Sequence, residues 1–314
     1  MKRVHVFGPV PSRRLGRSLG IDLTPAKTCS LDCRYCQLSA TREPTIERRE
    51  FFSPEVVLLE LKAVLAEIEP PDWITFSGSG EPTLYLGLGN LLREIRVFAR
   101  CPTCVITNGT LLGQPVVRDD LLLADRVMPT LTTVDKETFN QIHRPAKGIE
   151  LPAILEGLRA FSASFFGYLE IETFVLPGIN DAAAHVEALG AFLRSLPRLS
   201  AVYLNTAVRA PIDATVRVAS EQELVRFKAL LGLSGIAVTT ALDHPPAPIP
   251  VALKRTVNEE EILGLLLRHP CTIEQLSDVL GAPVAVLAEQ LDKLSLTGRL
   301  RRDLDKTWRM SDSL

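Results

Sequence analysis

For most of its length the chain alternates short, Val/Ile-rich apolar runs with amphipathic stretches, and that alternation leaves few folds open. The runs are "SLGIDL" (18–23), "WITFSG" (73–78), "TCVITNG" (103–109), "DRVMPTL" (125–131), "YLEIETFVL" (168–176), "AVYLNT" (201–206) and the short "IAVTT" (236–240). The stretches between them carry helix punctuation. In "SPEVVLLELKAVLAEIEPP", Ser53 is a suitable N-cap, Pro54 fits the first helical position and Pro70-Pro71 ends the helix. Further helices are expected near 86–99, from Asp135 onward, over "INDAAAHVEALGAFLRSL" and near 220–232. Strands of this composition separated by helices imply a parallel sheet covered by helices. About six units suit an α/β fold built as an open or partial (β/α)6 barrel. A doubly wound sheet is the alternative. In either fold, chemistry collects just beyond the strand C-termini, and the unusual clusters of this sequence fall there.

The alternation breaks at "LDHPPAPIPVALKRT" (242–256), a proline-rich linker by composition. Residues 1–245 are thus expected to form one domain, 246–256 a linker and 257–314 a second, smaller domain. The last segment reads as three helices, "NEEEILGLLLRHP", "TIEQLSDVLG" and "APVAVLAEQLDKLSLTG", followed by a hairpin over "RLRRDLDKTWRM". That order suggests a winged helix-turn-helix.

Three of the six cysteines, Cys29, Cys33 and Cys36, sit in "KTCSLDCRYCQ", directly after the first strand. A structural zinc site wants four closed ligands, and here only His5, distant in sequence, could supply a fourth. Three thiolates on a [4Fe–4S] cubane, which normally takes four, would instead leave one iron open to a substrate or cofactor. The formal net charge of -2 argues against a chain dominated by non-specific nucleic-acid binding. No run is long and apolar enough for a membrane span or a signal peptide. A cytoplasmic location is expected, where clustered thiols bind metal more often than they form disulfides.

"CSLDCRYC" resembles the cluster-binding signature of the radical S-adenosylmethionine (SAM) superfamily, in which the residue before the last cysteine is commonly aromatic; Tyr35 fills that position. The resemblance implies a [4Fe–4S] cluster on Cys29, Cys33 and Cys36, with the amino and carboxylate groups of SAM chelating the open iron. An electron from the cluster would cleave the sulfonium to methionine and a 5′-deoxyadenosyl radical, which abstracts hydrogen from a substrate: an RNA base, a peptide or protein, or a metabolite. It further implies a low-potential electron donor such as flavodoxin or ferredoxin. Tyr35 would back the adenine, mostly through its backbone. "FSGSGEPTL" (76–84) resembles the family's GGEP motif, which holds the SAM amino group, through Ser79, Gly80, Glu81 and Pro82, with Gly78 beside them; the family's first glycine is a serine here. "ITNGTLL" (106–112) resembles the segment beneath the ribose, with Thr107 and Asn108 as polar candidates. "TLTTVDKETFNQIHRP" (130–145) resembles the region of ribose and carboxylate contacts, with Thr132 and Arg144. No catalytic side chain beyond these cofactor-binding residues is implied. The matches run in chain order over roughly residues 15–245. "GPVPSRRLGRSLGIDL" (8–23) is also similar to the opening of an Fe–S oxidoreductase group related to the tRNA wyosine-base synthases. Those enzymes carry extra N-terminal cysteines, and residues 1–28 here have none.

Each candidate has an ordinary structural reading beside it. Ser79–Pro82 and Thr107–Gly109 could be simple turns, Arg144 a surface ion pair or helix C-cap, and Asp135 an N-cap. Cys101 and Cys104 form a C-x-x-C that could bind metal, but they precede a strand, the end away from barrel chemistry. Cys271 reads as core packing. Arg13, Arg14 and Arg17 could grip an anionic substrate at an entrance. "RLRRD" (299–303) and Arg309 could form a basic wing that docks nucleic acid; protein docking and a purely structural cap are the other readings. A non-catalytic Fe–S sensor governing the winged helix is the rival to an enzyme.

Overall fold

The computed structural model describes residues 4–38, 40–41, 44–207, 211–243 and 257–311. Eight strands, β1 (Val6–Ser12), β2 (Gly16–Ile21), β3 (Trp73–Phe76), β4 (Thr103–Thr107), β5 (Arg126–Pro129), β6 (Tyr168–Phe174), β7 (Ala201–Asn205) and β8 (Ala237–Thr240), lie in one sheet in strict chain order. From β2 to β8 every neighbouring pair is parallel. The connections hold α1 (Pro54–Glu67), α2 (Leu88–Phe98), α3 (Pro115–Leu121), α4 (Lys136–His143) with α5 (Leu151–Ser164), α6 (Ala183–Arg194) and α7 (Glu221–Leu231). A doubly wound sheet reverses its strand order at a switch point. A sheet that advances only one way keeps its right-handed crossovers on one face and curls toward a barrel. The α/β fold with a TIM-like, mostly parallel sheet follows from this order.

The apolar strands are buried as their composition demands. Leu19, Ile74, Val105, Val127, Leu169 and Val202 share one core with Val57 and Leu61 of α1 and Leu224 of α7. Full burial of such side chains stabilises by roughly 1.5–3 kcal/mol each. Helix α7 begins on a capping box, with Ser220 accepting from the Glu223 N–H and the Glu223 carboxylate accepting from the Ser220 N–H, and ends on left-handed Gly232. The first strand is not evident in the sequence. "VFGPVPS" carries two prolines, which lack amide donors and are confined to sheet edges. It is an edge strand, antiparallel to β2 and irregular between Phe7 and Val10. The buried Glu60 of α1 fastens its start by accepting the N–H groups of Val4, His5 and Val6. Phe7 lies on Gly20 so closely that a Cβ there would sit 2.1 Å from its ring.

After residues 244–256, which contain the expected linker and are outside the described set, come α8 (Glu259–Arg268), α9 (Ile273–Leu280), α10 (Val284–Leu296) and a hairpin of β9 (Leu300–Arg302) and β10 (Trp308–Met310). Cys271 is buried core, and its backbone bridges to Trp308. Ile262, Leu266, Leu276, Leu287, Leu291 and Trp308 form a second apolar cluster that also takes in Phe7 and Val10 of β1. The C-terminal helices therefore pack against the barrel's edge strand.

Candidate active site

The loop leaving β2 is clamped before any side chain is considered. Its backbone donates from Asp32 to the His143 carbonyl, from Arg34 to the Ile142 carbonyl and from Cys36 to that of Cys33. It accepts from the amides of Thr45 at Cys29, Ala146 at Ser30, Glu81 at Thr28 and Ile212 at Cys36. Arg34 adds a bridge to Asp213 at 2.7 Å and donates to Thr215 at 2.8 Å. Three thiols are thereby held on a loop tied to the end of α4, the turn after β3 and the segment after β7. Cys33 Sγ lies 3.1 Å from His143 Nδ1, Lys27 Nζ donates to Cys36 Sγ at 3.2 Å, and Asn108 Nδ2 approaches Cys29 Sγ at 3.5 Å. Burial, reinforced by the Glu81 carboxylate, pushes the Cys29 thiol up to about 11, and burial pushes Cys33 well above its ordinary value. Thiolates at these positions need a compensating cation. Burial also lowers His143 to about 3, so its imidazole is neutral between Cys33 and the Thr132 hydroxyl, 2.7 Å from Nε2.

The next two strands end on a shared carboxylate. Glu81, buried at 2% exposure, accepts at Oε1 from Thr83 N (3.0 Å), Thr83 Oγ1 (2.6 Å) and Thr107 Oγ1 (2.6 Å), and at Oε2 from Asn108 N (2.7 Å). Burial raises its carboxyl against the pull of these four donors. The Glu81 side chain ties the turn after β3 to the end of β4. Gly80 has a steric reason: a Cβ would lie 2.2 Å from the Thr28 carbonyl oxygen and 2.3 Å from Thr24 Oγ1. The serine that departs from the family pattern has one too. Ser79 donates through N (3.1 Å) and Oγ (2.8 Å) to Asp22 Oδ2, a carboxylate that follows β2.

One cavity of about 420 Å³ joins these pieces. Cys29, Cys33, Tyr35 and Cys36 line it from the loop, and Gly78, Gly80, Glu81, Thr107 and Asn108 from the strand ends. Tyr35 stacks on Phe174 with ring centroids 4.0 Å apart. The lumen continues to the opposite end of the sheet, where Arg14 and Arg126 pair with Glu170 and Glu172, and Arg14 lies 4.4 Å over the Tyr203 ring. Arg13 and Arg14 thus line the same cavity from the β1–β2 turn, Arg17 does not, and Arg14 is committed to two carboxylates. Among the described residues no three His, Cys, Asp or Glu side chains converge on a single metal ion. His5, the conceivable fourth zinc ligand, packs on Phe52. Three thiols spread along one wall, with N–H donors from Lys27 and Asn108 beside them, fit a multi-iron cluster better than a lone ion.

Three predicted residues lie outside the cavity lining. Ser79 faces Asp22, and Thr132 is buried at 1% against His143. Arg144 is the left-handed C-cap of α4, with φ of 43°, and pairs with Asp32 and Asp213 at 3.5 Å. Asp135 is the N-cap of the same helix. Cys104 is buried in the lumen beside Met128, while Cys101 packs on the main core, so the C-x-x-C does not act as a pair. Sequence reasoning missed Asp22, Lys27, His143, Glu172 and Asn205, the last of which lines the cavity and donates from Nδ2 to Glu172 at 3.1 Å. Glu170 and Glu172 did carry a signal, two carboxylates at alternate positions of a mainly apolar strand; His143 and Asp22 carried none.

A sequence model described as the radical SAM superfamily matches residues 23–189, which include the cysteine loop and the strand ends just described. The chain belongs to the radical SAM superfamily. It is 35% identical over 281 residues to UPF0026 protein MJ1312 of Methanocaldococcus jannaschii, covering 88% of this chain and 85% of that one. It is 33% identical over 305 residues to a Brachyspira hyodysenteriae protein named GTPase Obg, covering 97% of this chain but only 44% of that protein. The chain therefore spans less than half the length of that relative. A radical SAM methyltransferase structure from Sphaerobacter thermophilus superposes with a TM-score of 0.52 at 18% identity, covering 71% of this chain and 65% of that one. At that identity the likeness concerns the radical SAM fold alone.

Proposed function

We propose that this chain is a radical SAM enzyme that holds a [4Fe–4S] cluster on Cys29, Cys33 and Cys36 and binds SAM beside it. The observation that carries this reading is the single cavity onto which three thiols and the turns after β3 and β4 all open. When bound, the cluster and SAM supply one electron to the sulfonium and a 5′-deoxyadenosyl radical that abstracts hydrogen from the substrate. The chain's residues position and enclose. Gly78 and Gly80 present backbone to the SAM amino group, with Glu81 holding the turn rather than the ligand. Thr107 and Asn108 face the ribose side, and Tyr35, backed by Phe174, the adenine side. The paired charges of Arg14, Arg126, Glu170 and Glu172 form a charge-compensated floor. A low-potential donor such as flavodoxin or ferredoxin supplies the electron.

Residues 257–314 are read as a winged-helix-like domain. Its basic residues are largely engaged within the chain: Arg299 with Glu259, Arg301 and Arg309 with Asp303, and Arg309 with the Gln37 carbonyl. This favours an intramolecular role over nucleic-acid docking, and with it an enzyme over a cluster-state sensor. Among the described residues no helix is long and apolar enough to cross a membrane. A chain with six cysteines and a proposed thiolate-held cluster suits a reducing cytoplasm.

Anaerobic reconstitution with SAM and dithionite tests the reading. The wild-type chain is expected to bind four irons and release 5′-deoxyadenosine, and Cys33→Ala to lose both while remaining folded. Retention of both activities in Cys33→Ala overturns the assignment, and DNA binding that tracks cluster state returns the sensor.

A further inference from the structure

The C-terminal helices reach the turn that this functional reading gives to SAM. Arg268, the last residue of α8, donates from Nε to Asp22 Oδ2 at 2.8 Å, the same oxygen that accepts Ser79 N and Ser79 Oγ. Its Nη1 donates to the Gly264 carbonyl and its Nη2 to the Val4 carbonyl, and the guanidinium lies over Phe7. All of the guanidinium nitrogens are thus engaged, with side-chain exposures of 12% for Arg268 and 3% for Asp22. A pair so enclosed is unlike a surface salt bridge, because solvent screens it little and loss of either partner leaves a buried charge. Asp22 also sits against the preceding residue of the turn: a Cβ on Gly78 would lie 2.3 Å from the Asp22 carboxyl carbon. The carboxylate therefore determines where Gly78 and Ser79 stand, and Arg268 determines where the carboxylate stands.

The same corner of the C-terminal unit is part of the cavity wall. Arg268, Pro270 and Gln275 line the cavity that holds the three thiols. From the hairpin, Arg309 donates to the Gln37 carbonyl, one residue past Cys36. Two separate elements of the unit thus touch the loop that carries the cysteines, and one of them reaches the turn after β3 through Asp22.

We propose that the C-terminal three-helix unit is a working part of the active site, with Arg268 as the positioning residue that sets the Gly78–Gly80 turn for SAM through Asp22. The inference rests on the radical SAM reading of that turn. It gives the unit a task that needs no outside partner, and it accounts for the serine at the first position of the motif, since a glycine there would leave Asp22 with one donor fewer.

The test uses the full-length chain, reconstituted anaerobically, with SAM as the probe and iron per chain measured in the same samples. Arg268→Gln is expected to weaken equilibrium SAM binding about tenfold at unchanged iron content, and Arg268→Lys, which keeps a charged donor for Asp22, to recover most of it. An unchanged SAM affinity in Arg268→Gln overturns the proposal, as does an equal loss of iron and SAM, which would make the pair a fastener of the cysteine loop. A wild-type measurement stands independently of how the variants fold. Adding SAM is expected to slow hydrogen exchange in peptides covering 264–275 as well as 76–84, and no slowing in 264–275 overturns it. A wild-type chain that takes up no iron sinks the functional reading itself; a wild type that binds SAM with an affinity indifferent to Arg268 sinks this inference alone.

Discussion

Glu81 offers the sharpest quantitative test of how the site is held together. Its carboxylate receives two backbone N–H groups, of Thr83 and Asn108, and two hydroxyls, of Thr83 and Thr107. Hydroxyls can rotate toward other acceptors; the two amides cannot. Glu81→Ala therefore orphans two buried amides at about 1–3 kcal/mol each, for a loss near 2–6 kcal/mol, a large share of a typical folding free energy. Glu81→Gln keeps an acceptor oxygen for the three donors at Oε1 and turns its NH₂ toward the Asn108 amide, leaving one mismatch worth about 1–3 kcal/mol. Urea unfolding of the metal-free chain, followed by far-ultraviolet circular dichroism, measures both. The expected order of stability is wild type, then Gln, then Ala. Burial raises the Glu81 carboxyl, so charge and donors oppose one another at this site. A Gln variant more stable than wild type would mean that the cost of the buried charge outweighs the four hydrogen bonds, and the account given above would be refuted.

Two further outcomes follow from the same loops. Gly80→Ala places a Cβ 2.2 Å from the Thr28 carbonyl oxygen, which no rotamer change relieves. The cysteine loop must shift, at a cost of about 1–3 kcal/mol, and iron uptake after reconstitution should fall; a full iron complement would count against the geometry. Asp213 is held below its ordinary value of 3.8 by hydrogen bonds from Thr215 and Arg34. A depressed carboxyl contributes stability that is present above the unfolded value and lost as pH falls through the folded one. The stability gap between wild type and Asp213→Asn is thus expected to be full at neutral pH and to narrow below about pH 4. A gap that stays constant through that range would show that Asp213 is not ion-paired in the folded chain.

Most of the sheet is legible in the chain, and the exceptions have identifiable causes. β2 through β8 announce themselves as Val/Ile-rich runs because strands buried on both faces have no room for polar alternation. β1 escapes because its prolines remove amide donors, which an edge position tolerates and a central one would not. Helices α3 and α5 pass unread; each starts with Pro at its first turn but lacks a side-chain cap at the residue before. At the site, the cysteine loop and the glycine turns could be located from spacing, since their logic is local. Thr132 and Arg144 could not be assigned that way. Each lies in the expected segment, yet a neighbouring group claims it: His143 for the threonine, and Asp32 with Asp213 for the arginine.

What the amino-acid order determines alone is therefore the local part: strand and helix periods, the cysteine spacing, and the glycines that let turns close. Tertiary structure decides which of those groups meet. Only the sheet's one-way winding brings the ends of β2, β3 and β4 onto a common cavity, and only packing of the C-terminal helices on β1 carries Arg268 to Asp22 across 246 residues of chain. Hydrogen-bond partners are chosen by distance in space, and that choice leaves no mark on spacing along the chain.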